Sequence, residues 1–169
     1  MMMWKKLLIL LAVALVLGAC SQTNASDAGK DKESLFALED MNGKTVDLAD
    51  YKGQKVYVKF WASWCPICLS GLDEVNRLAG ENTDFKVLTI VAPGYNNEKD
   101  KEAFQKWFKG VEHTENLPVL FDEGGKIVQK FKVRGYPTSA FINEQGELVK
   151  TRPGHLSNDE IKKEMAALN

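Results

Sequence analysis

Phe60-Trp61-Ala62-Ser63-Trp64-Cys65-Pro66-Ile67-Cys68 decides how the rest of this 169-residue chain is read. Residues 56–61 (VYVKFW) are β-branched and aromatic on both faces, as a central strand covered from both sides should be. A helix is expected to open near Pro66, because proline suits a first helical turn, and to run to about Gly80. This places Cys65 at the mouth of a helix, where unpaired backbone N–H groups and the positive dipole end favour an anion over a thiol. Cysteines in such positions have pKa values of about 3.5 to 7.5, which selects Cys65 as the nucleophile. Cys68, one helical turn further on and more deeply placed, is near enough to attack a mixed disulfide. The pair can therefore cycle between dithiol and disulfide with no third cysteine.

Two other uses of the pair compete with that chemistry. A structural disulfide is possible in an exported chain, but bridging residues three apart closes so short a loop that the entropic gain is small. A zinc site needs two further ligands, and His113 and His155 are the only histidines and do not form a metal-ligand pair. No metal is expected. The whole-chain charge argues against another class: Lys and Arg total 22 and Asp and Glu 23, so there is no overall attraction to a phosphate backbone and no nucleic-acid partner is expected. With 44% hydrophobic and 27% charged residues, the composition excludes disorder, collagen and a multi-span membrane protein.

Upstream of the motif the chain changes character twice. Lys5 and Lys6 precede an unbroken apolar run over residues 7–17, too short for the roughly 20 residues that span a bilayer as a helix and typical of an export signal. The run ends in Leu17-Gly18-Ala19-Cys20, which resembles the lipobox of bacterial lipoproteins. The resemblance implies cleavage before Cys20 and a diacylglyceryl group on its sulfur. Residues 1–19 are thus assigned to a signal peptide. Residues 21–33 (SQTNASDAGKDKE) hold no apolar side chain larger than Ala and read as a tether, so that residues 20–33 form a lipidated flexible leader with an extended reach of about 45 Å.

Residues 34–169 read as one domain with alternating strand and helix patterns. Strands are expected over 34–38 and 44–48 around an Asn42-Gly43 turn, then over 56–61, 86–91, 119–121, 139–142 and 148–151. Helices are expected over 66–80, 98–109 and 126–130, with a last one opening at Ser157-Asn158-Asp159-Glu160, the pattern of a capping box. The order predicts an α/β fold with a central mixed sheet and helices on both faces.

The motif run resembles the active site of the thioredoxin superfamily, and Cys-Pro-x-Cys resembles its membrane-anchored TlpA/ResA-like branch. Gly135-Tyr136-Pro137-Thr138, just before the strand at 139–142, matches the family loop that carries a cis-proline opposite the cysteines. The resemblance implies a thioredoxin-like fold in which residues 34–48 are extra N-terminal strands and residues 91–118 a central insertion. It also implies a redox-active Cys65–Cys68 disulfide without a cofactor, and a substrate-binding surface made by Trp64, Pro66, Ile67, Tyr136, Pro137 and Thr138. Two family positions depart from the pattern: Lys59 stands where thioredoxins carry a buried acid, and Gly71 where the ResA-like branch often has Glu. Lys59 is read either as a cation that stabilises thiolate or, preferably, as a packed stem whose ammonium reaches water. Glu74 and Asp73 are candidate replacement acids, although both also suit a solvated helix face.

Together these readings describe a thiol–disulfide oxidoreductase on the outer face of the cell membrane. The resemblance implies an electron donor of the CcdA/DsbD kind and disulfide-containing protein substrates, methionine sulfoxide reductase foremost and apocytochrome c as the alternative. A disulfide-forming oxidant and a non-catalytic binding module remain open at this stage.

Overall fold

The strand expected before the cysteines lies in the interior of a seven-stranded sheet. The structure is a computed structural model that describes residues 34–168; the expected signal peptide, Cys20 and the expected tether lie outside the described residues. Strand β3 (Lys55–Phe60) pairs in parallel with β4 (Phe85–Val91) and antiparallel with β6 (Thr138–Ile142). With β1 (Ala37–Asp40), β2 (Thr45–Asp47), β5 (Val119–Phe121) and β7 (Leu148–Pro153), the sheet order is β2-β1-β5-β4-β3-β6-β7. The sheet is mixed, with helices on both faces, and the fold is thioredoxin-like.

Alternation along β3 sorts its side chains between two cores. Tyr57 and Trp61 enter one core together with Cys68, Leu72 and Val75, while Val56, Val58 and Phe60 enter the other with Val128 and Phe131. Helices α1 (Pro66–Ser70), α2 (Leu72–Gly80), α3 (Lys101–Phe108) and α5 (Asn158–Ala166) pack on the first face and α4 (Lys126–Lys130) on the second. Each fully buried apolar side chain contributes about 1.5–3 kcal/mol. Trp61 meets the insertion edge-on, its ring 5.7 Å from that of Phe104. The extra N-terminal strands close the far edge, β1 pairing antiparallel with β5.

Three expected boundaries shift for physical reasons. The helix expected over 66–80 is two, because Gly71 leaves helical geometry (φ −101°, ψ 3°) and its N–H turns back to the carbonyls of Cys68 and Leu69. Helix α3 begins at Lys101 rather than at 98, because the Asp100 carboxylate accepts from Ala103 N at 2.8 Å and fixes the start there. The first two strands are shorter than expected and are joined through Gly43, whose φ of +79° suits glycine. At the last helix the reciprocal Ser157–Glu160 capping box is present.

Candidate active site

Cys65 caps α1 as read from the sequence. Its backbone is extended, Pro66 occupies the first turn, and its Sγ accepts from Cys68 N at 3.2 Å. The two cysteines form a disulfide, with Cα atoms 5.2 Å apart. Cys68 is fully buried and Cys65 only 5% exposed, so attack must come along a narrow approach to Cys65. On reduction the same Cys68 N–H faces a Cys65 thiolate, a charge-assisted bond that favours the anion.

That approach is framed by side chains the sequence singled out. Trp64, Pro66 and Ile67 are exposed around the buried sulfur, Trp64 at 48% and Ile67 at 60%. The Tyr136–Pro137 peptide is cis, and the Tyr136 ring meets that of Trp64 edge-on at 5.9 Å. Burial raises the Tyr136 hydroxyl to about 12, so it stays protonated through the physiological range. Pro137 and Thr138 are buried. Thr138 Oγ1 donates to the Gly135 carbonyl at 2.8 Å, and the Pro137 carbonyl accepts from Gly154 N at 2.8 Å. These two residues therefore fix the loop, while Tyr136 of the loop, with Trp64 and Ile67 of the cysteine motif, presents apolar surface beside it.

A residue that the sequence reading passed over anchors the other side of the motif. Glu98, 6% exposed, accepts from both Ser63 N and Ser63 Oγ at 2.5 Å, and from Lys99 N at 2.7 Å. Lys99 Nζ donates to Ser63 Oγ at 3.0 Å and sits over the Trp107 ring. Glu98 lies 35 positions from Ser63 and was expected to open a helix, so no local pattern marks this role. Glu98→Ala is expected to strand the buried Ser63 N–H, costing about 2 kcal/mol. In a thermal melt that is a fall of roughly 4–8 °C; an unchanged midpoint would remove Glu98 from this account.

Beneath the motif, Lys59 differs from its expected placement. Its ammonium does not reach water: the residue is 1% exposed and Nζ is buried without a hydrogen-bond partner. Burial lowers its pKa to about 8, against the opposing pull of Glu74. Asp73 is exposed and pairs with Arg77. Glu74 turns inward from the helix surface, accepting from Asn158 N at 2.9 Å and pairing with His155 Nε2 at 3.3 Å. Among the described residues no cluster of His, Cys, Asp and Glu is suited to a metal ion.

A family model described as Redoxin matches residues 24–168. The chain belongs to the Redoxin family. Among its curated relatives, the thiol–disulfide oxidoreductase ResA of Bacillus subtilis is 31% identical over 144 residues, covering 82% of this chain and 78% of that one. Among solved structures, the exposed lipoprotein thioredoxin Etrx1 of Streptococcus pneumoniae is 48% identical, with a TM-score of 0.76 and coverage of 79% of this chain and 98% of that one. The N-terminal domain of PilB from Neisseria gonorrhoeae is 29% identical, with a TM-score of 0.71 and coverage of 77% and 87%. This Redoxin chain is a ResA-like thiol–disulfide oxidoreductase.

Proposed function

We propose that this oxidoreductase is a lipid-anchored reductant on the outer face of the cell membrane, and that oxidised methionine sulfoxide reductase is its substrate. The observation that carries the reading is the Cys65–Cys68 disulfide, buried at a helix mouth and flanked by the exposed side chains of Trp64 and Ile67 and the half-buried ring of Tyr136. Such a border suits a protein segment that lays its own disulfide over Cys65. The Cys65 thiolate attacks a substrate sulfur, the substrate's other sulfur leaves as a thiolate, and a mixed disulfide joins the proteins. Cys68 thiolate then attacks Cys65 Sγ, releasing the second substrate thiol and restoring the Cys65–Cys68 bond. Two electrons pass to the substrate, and the exchange needs no cofactor.

The anchored, outward location rests on the lipobox ending at Cys20 and on the likeness to the exposed pneumococcal lipoprotein. Among the described residues no helix is long and apolar enough to cross a membrane. An electron donor of the CcdA/DsbD kind would return the pair to the dithiol from the membrane side.

Cys68→Ser removes the resolving thiol and should accumulate a covalent complex through Cys65. Mass spectrometry of the trapped species from the native cell envelope should identify methionine sulfoxide reductase. An apocytochrome c adduct in its place would overturn the substrate assignment, and no adduct at all would count against the roles of the two cysteines. Direction is tested separately. A Cys65–Cys68 potential at or above that of the glutathione couple would make the protein an oxidant and end the reductant reading.

A further inference from the structure

Three groups from separate parts of the chain converge beside the turn that follows Cys68. Lys59 projects from the C-terminal half of β3 onto the face shared with Tyr57, Trp61 and Cys68. A Cβ built on Gly71 would lie 3.4 Å from Lys59 Nζ and only 2.6 and 2.7 Å from His155 Cε1 and Nδ1, so the imidazole occupies space that a side chain at 71 would need. Gly71 N in turn donates to the Cys68 carbonyl at 3.2 Å. Glu74 joins the group by pairing with His155 Nε2. Exposure rises along the series: Cys68 is fully buried, Lys59 1% exposed, and the Glu74 and His155 side chains 29% and 35% exposed.

A buried lysine ammonium with no hydrogen-bond partner is costly, and packing alone would be better served by Met or Leu. The cost is explained if the amine exchanges a proton. We propose that Lys59, Glu74 and His155 form a proton-exchange unit for the resolving thiol Cys68, with His155 as its outlet to solvent. The inference rests on the dithiol-exchange reading and adds the proton path that reading lacks. In the resolving step Cys68 Sγ–H gives its proton to Lys59 in the amine form. The resulting thiolate, held against the new ammonium, attacks Cys65 Sγ; the Cys65–Cys68 bond forms and the bond from Cys65 to substrate breaks. The departing substrate thiolate takes a proton from water. The ammonium passes its extra proton to the Glu74–His155 pair, and solvent removes it. With Lys59 lowered to about 8, roughly a tenth of it is amine at neutral pH, enough to act as a base. Other titratable groups that bear on the unit are Tyr57, whose pKa Glu74 helps to raise, and Glu160, which senses both His155 and Arg152.

The test separates capture from resolution. Reduced protein is mixed with dithionitrobenzoate in a stopped-flow instrument, and thionitrobenzoate release is followed from pH 6 to 9.5. The first release reports attack by Cys65 and the second reports resolution by Cys68. Lys59→Met is expected to slow the second release by about a hundredfold at pH 7 and to abolish its pH dependence, with the first release unchanged within about twofold. His155→Ala is expected to slow the second release by about tenfold, and added imidazole, admitted to the space beside Gly71, should restore it. A merely structural role for His155 would leave imidazole without effect. Second releases equal to wild type in both variants, equal slowing of both releases, or failure of imidazole to rescue would each overturn the proposal. A wild-type protein that releases no second thionitrobenzoate would overturn the dithiol-exchange reading itself.

Discussion

Cys65→Ser protein will leave insulin disulfides intact under conditions in which the wild type cleaves them. Turnover is expected to fall by three orders of magnitude or about that, because no other group can take over the attack. The geometry makes the loss specific to one sulfur. Cys68 is fully buried and lies behind the first turn of α1, whereas Cys65 meets the surface between Trp64 and Ile67. With Cys65 replaced, no sulfur remains at the approach. The substitution exchanges sulfur for oxygen at a helix cap, a position that serine favours, so the fold should persist. Insulin precipitation followed by turbidity, with an unchanged far-ultraviolet spectrum as the folding control, decides the matter. Retained reduction by the Cys65→Ser protein would show that the assigned nucleophile is wrong.

Lys59→Met will make the folded protein more stable while slowing its resolving step. Burial holds the Lys59 pKa near 8 in the folded chain, against 10.5 for the ordinary group. Below pH 8 the ammonium is present in both folded and unfolded chains, and its full burial penalty, about 3 kcal/mol, acts against folding. Between pH 8 and 10.5 the unfolded chain binds more protons at this site than the folded one, so the penalty fades and wild-type stability rises with pH. Methionine has similar length and no charge, so the variant should be about 3 kcal/mol more stable at pH 7 and the gap should close towards pH 10. Denaturant unfolding of the oxidised proteins at a series of pH values measures it. Comparison of the two proteins cancels Tyr57 and Tyr136, whose burial-raised pKa values make stability fall above pH 10 in both. A gap that is absent at pH 7, or constant with pH, would mean that the Lys59 ammonium is solvated.

The two predictions rest on the same division of labour. Cys65 acts at the surface through a helix end, and Lys59 acts from the interior at a cost in stability. Natural proteins keep such costs where chemistry requires them, and a buried unpartnered cation behind a redox pair is of that kind.

Local physics in the sequence was sufficient for a good part of this protein. The β-branched and aromatic run before Cys65 marked a strand covered on both faces, Pro66 marked a helix start, and their junction placed Cys65 as the cap; the structure has all three. Ser157 through Glu160 marked the last helix, since a capping box is written in four adjacent residues. These signals are short-range, and steric and hydrogen-bonding rules act directly on neighbours. What only the tertiary structure decided joins distant residues. Glu98 grips Ser63 across 35 positions, His155 fills the space left by Gly71, and Lys59 lies dry where a snorkelling ammonium was expected. A side chain's solvation depends on what packs over it, and a strand's pattern of alternation names the face but not its cover. The helix-capping cysteine could thus be found from the chain alone, whereas the groups that pack around the pair required the fold.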